Sequence, residues 1–413
     1  MRYGKILTNR IIRMRFKFLL FGFALIPIAL SACTAAEKSA SPATATSQPQ
    51  TVVSPSATPS PPPPTPTVSP TITFTPTATL LPQDYGPDDY PPNVNPLTGL
   101  PATNPALLER RPVAIKVQIF PRGQRPPWGI SLADIVYDYY QNNGLTRFNA
   151  IFYGNNAEQV GPVRSARYFD DHIVRMYKAI FAFGGADRRV LARLFNADYA
   201  NRLVLEGSDS YPALMRLDPN GFNYLIANTA EIGRYAASKG VDNARQNLNG
   251  MSFQFQPPAG GAAGTQIYNR YSISAYNRWD YDPLTGRYLR SQDTQEDTTG
   301  QDEAYAPLTD RLTGAQIAAE NVVILFAAHT PDEGSATRID INLTGSGKAY
   351  AFRDGLVYEV QWERPASDAV LRLTRDGVPF PFKQGKTWFQ VMGQYTRVEQ
   401  PAPGVWRFEN RLP

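Results

Sequence analysis

Cysteine and histidine are nearly absent: 413 residues hold one cysteine, Cys33, and two histidines, His172 and His329. A single thiol excludes an intrachain disulfide, a paired-cysteine redox centre and a thiolate zinc site. Neither histidine stands in a His-Glu-x-x-His pair, and the chain has no Gly-x-Ser-x-Gly elbow and no calcium loop. No catalytic residue, metal ligand or cofactor is therefore assigned. Long apolar runs are scarce too; the strongest, 18–30, has thirteen residues and contains Pro27, short of the ~20 that a spanning helix needs. A surplus of one charge sign is also missing. The formal charge is +5, but 1–17 carries six basic residues and no acid, which leaves about −1 on the remainder. Such a body has no chain-wide field for a polyanion, which argues against a nucleic-acid partner.

What is present at the start is a basic segment, an apolar segment and then Leu30-Ser31-Ala32-Cys33. This order is that of a secretory signal peptide over 1–32, and the four residues resemble the lipobox of bacterial lipoproteins. The resemblance implies cleavage before Cys33, lipidation of its thiol, and anchoring to the cell membrane on the extracytoplasmic face. Residues 34–82 contain twelve prolines and only Glu37 and Lys38 as charges, a composition unable to bury enough apolar surface to fold. The stretch 33–92 is thus expected to be a lipidated cysteine followed by a disordered tether.

From Asn95-Pro96-Leu97-Thr98-Gly99 onward, short apolar runs alternate with turn residues. Segments 113–120, 135–140, 147–153 and 179–183 are rich in β-branched and aromatic residues and read as strands. Phe169, Ile173, Met176, Tyr177 and Ile180 recur at helical spacing behind Ser165, so a helix is predicted to start there. Further helices are predicted over 187–195 and 229–239. The first domain, 93–256, reads as a sheet with covering helices. An uncharged Pro/Gly/Ala stretch at 257–264 precedes a β-rich second domain, 265–410. The fold class is α/β in the mixed α+β sense.

Several stretches resemble the YerB-like lipoprotein family, whose two adjoining regions are known as domains of unknown function. In the first region these are Arg111-Pro112-Val113-Ala114-Ile115-Lys116, Ser131-Leu132-Ala133-Asp134-Ile135-Val136-Tyr137, Thr146-Arg147-Phe148 and Gly161-Pro162-Val163-Arg164-Ser165-Ala166-Arg167. In the second they are 279–290, Asn321-Val322-Val323, Gly345-Ser346-Gly347-Lys348-Ala349 and Gly385-Lys386-Thr387-Trp388. The resemblance implies a lipid-anchored extracytoplasmic α/β protein and supplies no catalytic residue. One departure stands out: members of the family often have an acid and a glycine after the position of Tyr137, where this chain has Asp138-Tyr139-Tyr140-Gln141-Asn142-Asn143.

The candidate ligand-binding residues are Arg147, Arg164, Ser165, Arg167 and Asp134. Arginines at a helix start are unfavourable to its dipole unless an anion compensates, and guanidinium forks match carboxylate and phosphate. The competing reading pairs Arg164 and Arg167 with Asp134, Asp138 or Asp170 to pin the loop to the sheet. Three functions are consistent with these residues. One is a non-catalytic binding protein for an anionic cell-wall component or an envelope protein. Another is an envelope hydrolase using Asp134, Asp138, Asp170 or Asp171, and the third is a protein-protein scaffold. Trp279, Tyr281, Tyr288, Trp362, Trp388 and Trp406 offer flat faces to a sugar, or fill the core.

Overall fold

The strands at the centre are buried on both faces: β1 (Val113–Gln118), the first of the main sheet, is buried throughout, and β2 (Ile135–Asn142) and β3 (Leu145–Phe152) over most of their length. Two shorter strands, β4 (Ile180–Phe183) and β5 (Leu203–Leu205), complete this half's share of the main sheet. The computed structural model describes residues 83–218, 224–333 and 338–413, all within one compact unit, 77–413. Residues 1–82, which hold the expected signal peptide, Cys33 and most of the expected tether, lie outside the described residues; 83–92, expected to be disordered, instead bond to the body, Tyr85 N–H donating to Phe253 O at 3.0 Å and Tyr90 Oη to Met251 O at 2.5 Å. Among those described, no helix is long and apolar enough to cross a membrane.

The second half contributes β6 (Ala262–Arg270), β7 (Tyr276–Asp282), β8 (Arg287–Asp293), β9 (Asn321–Pro331), β10 (Gly345–Arg353), β11 (Leu356–Arg364), β12 (Thr387–Gly393) and β13 (Gly404–Glu409). The main sheet runs β5-β4-β1-β3-β2-β12-β9-β10-β11. Strands from both halves therefore share it, joined where β2 pairs with β12 in parallel, Ile135 opposite Thr387 and Tyr139 opposite Val391. A second sheet, β13-β6-β7-β8, packs on one face of the first.

Because side chains alternate across a strand, each face of the main sheet collects its own core. Val113, Ile115 and Val117 join Phe148, Val322, Ile324 and Trp388 on the face covered by the second sheet, through Ile267, Trp279, Tyr288 and Phe408. Helix α3, spanning Thr229–Ser238, seals the same face with Ile232 and Ala236, and Asn228 caps it by accepting from Ala230 and Glu231 N–H. Ala114, Tyr137, Tyr139, Phe389 and Val391 point the other way, and Tyr137 stacks on Phe389 with ring centroids 4.6 Å apart. Two helices, α1 (Asp170–Met176) and α2 (Arg188–Phe195), cover this face with Phe169, Ile173, Tyr177, Val190 and Leu194. Fully burying a side chain of this size contributes about 1.5–3 kcal/mol, so both faces are held by large apolar payloads. The mixed α+β reading of the sequence matches this architecture.

The first helix begins later than its periodicity suggests. Arg164 N–H donates to Lys116 O at 2.9 Å, Gly184 N–H donates to Arg164 O at 3.1 Å, and Ala166 N–H donates to Gly185 O at 2.8 Å. These bonds hold 164–166 as an extended crosspiece between β1 and the segment after β4. Helical pairing starts only at Asp170. Tertiary pairing overrides propensity here.

Candidate functional site

The crosspiece 164–167 lies over the ends of β1 and β3, and its arginines converge there. Arg147, opposite Gln118 on β1 and Tyr139 on β2, donates from Nη1 to Ser165 O at 2.7 Å. Arg167 donates from Nη1 to Ala166 O at 2.9 Å and to Ser165 O at 3.4 Å. Arg164 Nε donates to Gln118 Oε1 at 2.5 Å. The guanidiniums of Arg147 and Arg167 are thus oriented by neutral main-chain carbonyls, not by carboxylates. All three arginines are half-buried. Burial, then the neighbouring Arg167, press the Arg147 pKa downward, as expected where like charges crowd in reduced water.

Beneath them lies a polar cluster sealed from solvent. Lys116, fully buried, meets Tyr139 Oη and lies 3.5 Å from Asp170 Oδ1. That same oxygen accepts from Tyr139 Oη at 2.5 Å and from Asn149 Nδ2 at 2.8 Å, while Oδ2 accepts from Arg167 N–H at 2.7 Å. Burial lowers the Lys116 pKa to about 7, with Arg147 and Arg167 acting in the same direction and Asp170 opposing them. Asp170 therefore occupies the place an external anion was expected to take at the helix start. The seven-residue α1 supplies no anion site of its own, and the arginines lie before the helix instead of in its first turn. What remains is a cationic rim above one internal carboxylate.

Arg147 also lines a cleft of about 510 Å³, together with Gln118, Phe120, Gln141, Thr146 and Glu296. Arg122 and Arg125 sit over the Phe120 ring, 5.4 and 4.6 Å from its centroid.

The structure brings Arg147, Arg164, Ser165 and Arg167 together and leaves Asp134 out. Asp134 stands at the entry to β2, five residues from Tyr139, or ~17 Å along an extended strand. There it accepts from Tyr153 N–H at 2.6 Å, Gly154 N–H at 2.9 Å and Asn95 Nδ2 at 3.2 Å. The carboxylates named for hydrolysis also disperse. Asp138 is paired with Arg290 on the face under the second sheet, Asp170 lies on the opposite face, and Asp171 binds Arg175 and Tyr199. His172 Nδ1 accepts from Arg364 at 3.0 Å. Trp279, Tyr288, Trp362 and Trp388 are buried as core. Among the described residues, no group of three His, Cys, Asp or Glu is placed to hold a metal ion.

Two residues of this site escape sequence reasoning: Lys116, which reads as an ordinary strand cation, and Gln141. Pairing of β2 with β3 shifts register between Tyr140 and Asn142, so Gln141 is the extra residue of a bulge. Asn143 and Gly144 close the hairpin at φ 51° and 75°, the Asn-Gly signature of a type I′ turn. That dipeptide was the available signal.

Residues 97–242 match the model described as the N-terminal domain of a protein of unknown function (DUF3048), and 267–389 match the corresponding C-terminal domain. The chain is 32% identical over 315 residues to YerB of Bacillus subtilis (strain 168), a protein named as a lipoprotein, covering 75% of this chain and 89% of that one. It is similar to the crystal structure of YerB from Bacillus subtilis with a TM-score of 0.59 and 28% identity, over 72% of this chain and 96% of that one.

Proposed function

The chain belongs to the DUF3048 family that includes YerB, and from that premise we propose a lipid-anchored, non-catalytic binding protein on the extracytoplasmic face of the membrane. Cys33 carries the lipid, and 34–82 spaces the folded body from the bilayer. Arg147, Arg164 and Arg167 receive an anionic ligand, a cell-wall component or an acidic segment of an envelope protein. The observation that carries this reading is the orientation of the Arg147 and Arg167 guanidiniums by the carbonyls of Ser165 and Ala166. Main-chain carbonyls fix direction without neutralising charge, so the forks keep their capacity for bidentate bonds to carboxylate or phosphate. Ser165 contributes through its carbonyl, which both Arg147 and Arg167 use.

The test is a binding screen of the full chain in detergent against soluble anionic wall fragments and envelope extract, beside Arg147→Gln and Arg167→Gln. Saturable binding that the variants weaken at least tenfold while melting within a few degrees of wild type supports the basin. Binding that both folded variants retain in full removes it.

A further inference from the structure

The cleft beside Arg147 contains a polar group whose hydrogen bonding the fold leaves unfinished. Gln141 is only 5% exposed, and its Oε1 is buried without a hydrogen-bond partner among the described residues. An orphaned buried acceptor is costly because its desolvation goes uncompensated, and natural structures hold few of them. Gln141 is also the bulged residue of β2, and bulges re-aim side chains next to functional sites. Its side chain lines the same cleft as Arg147. Arg147 lies opposite Tyr139, two residues before Gln141 on β2, so both side chains reach the cleft from neighbouring strands of one hairpin.

Resting on the anion reading of the basin, we propose that this cleft binds a peptide with a free terminal carboxylate, the carboxylate meeting Arg147 and a peptide group meeting Gln141. A carboxamide presents an acceptor and donors, and a peptide group returns a donor and an acceptor. A simple carboxylate or a fully ionised phosphate has no N–H to offer Oε1. Phe120 gives the cleft an apolar wall for a small side chain, and its lining also holds Glu296 and Arg122, the latter paired with Asp293 at 2.7 Å. The segment 138–143, where this chain departs from the usual pattern of the family it resembles, therefore carries the group that reads the peptide.

The full chain in detergent is titrated calorimetrically with trialanine, trialanine C-terminal amide, acetate and glucuronate, using wild type, Gln141→Leu and Arg147→Gln. Trialanine is expected to bind at least tenfold tighter than acetate. It should lose at least tenfold on amidation and on Gln141→Leu, while acetate affinity stays unchanged in Gln141→Leu. Should that variant not fold, the amidated and free peptides on wild type decide alone. Trialanine no tighter than acetate, glucuronate tighter than trialanine, or an inert Gln141→Leu each overturns the peptide assignment and leaves the basin standing. Anion affinity unmoved by Arg147→Gln, or no binding by any of the four, overturns the basin and the peptide assignment together.

Discussion

Arg290 and Asp138 form an ion pair at 2.8 Å with both side chains fully buried, between the second sheet and the centre of the main sheet. Arg290 comes from β8 and Asp138 from β2, so the pair ties the two halves of the sequence through the core. Aromatic rings enclose the guanidinium, with Trp388, Phe148 and Trp279 centroids 4.6, 5.1 and 5.3 Å away. Gln292 Oε1 accepts from Nη2 at 2.7 Å. Burial favours the neutral form of both partners, and each opposes that by stabilising the charge of the other.

Removing one partner leaves the other charge buried. Asp138→Ala is predicted to destabilise the fold by about 3–5 kcal/mol, read as a fall in the urea midpoint with the slope unchanged. A loss under 1 kcal/mol would show that the pair does not hold the sheets together.

Continuity of the main sheet makes the two halves interdependent. Residues 83–256 alone would expose the β2 edge that β12 covers, and with it one side of Tyr137, which stacks on Phe389. The fragment is predicted to lack a cooperative thermal transition, whereas the full chain melts in one. A fragment that melts cooperatively near the temperature of the full chain would contradict this.

Asp134 and the arginines separate by phenotype. Asp134→Ala strips an acceptor from Tyr153 and Gly154 N–H and is predicted to cost about 2–4 kcal/mol. It leaves anion affinity unchanged at temperatures where the protein is folded. Arg167→Gln shows the reverse pattern, weak binding with near-native stability. Equal effects of both variants on affinity would place Asp134 in the site.

His329 predicts an acid-sensitive component of stability. Its Nδ1 lies 3.0 Å from Ala327 O, its Nε2 is buried without a partner among the described residues, and burial lowers its pKa to about 4. The unfolded chain then binds a proton below pH ~6.5 that the folded chain refuses until near pH 4, so stability falls as pH drops through that window. Between pH 7.5 and 5 this histidine contributes a loss of about 2 kcal/mol. His329→Leu should remove that part of the pH dependence. Parallel curves for wild type and variant would contradict it.

Much of the fold was legible because the strands are rich in β-branched and aromatic residues and the helices 188–195 and 229–238 carry capping residues, Asp187 and Asn228. The start of α1 was not, since Ser165 and Ala166 are held by bonds to Arg147 and Gly185, contacts that no local spacing encodes. For the same reason, sequence grouped Asp134 with the arginines. Motif adjacency along β2 does not reveal that a strand carries its ends ~17 Å apart. Lys116 was invisible as a site residue because alternation does not say that the face it shares with Ala114 is closed by α1. The Gln141 bulge depends on register between two strands, which an Asn-Gly turn suggests and only pairing fixes.

The most direct measurement is a calorimetric titration of the full chain with soluble anionic wall fragments, wild type beside Arg167→Gln, at two salt concentrations. Saturable binding in wild type, weakened at least tenfold by the substitution and by added salt, is predicted. Identical isotherms for the two proteins, with both shown to be folded, would contradict an anion-receiving basin at Arg147, Arg164 and Arg167.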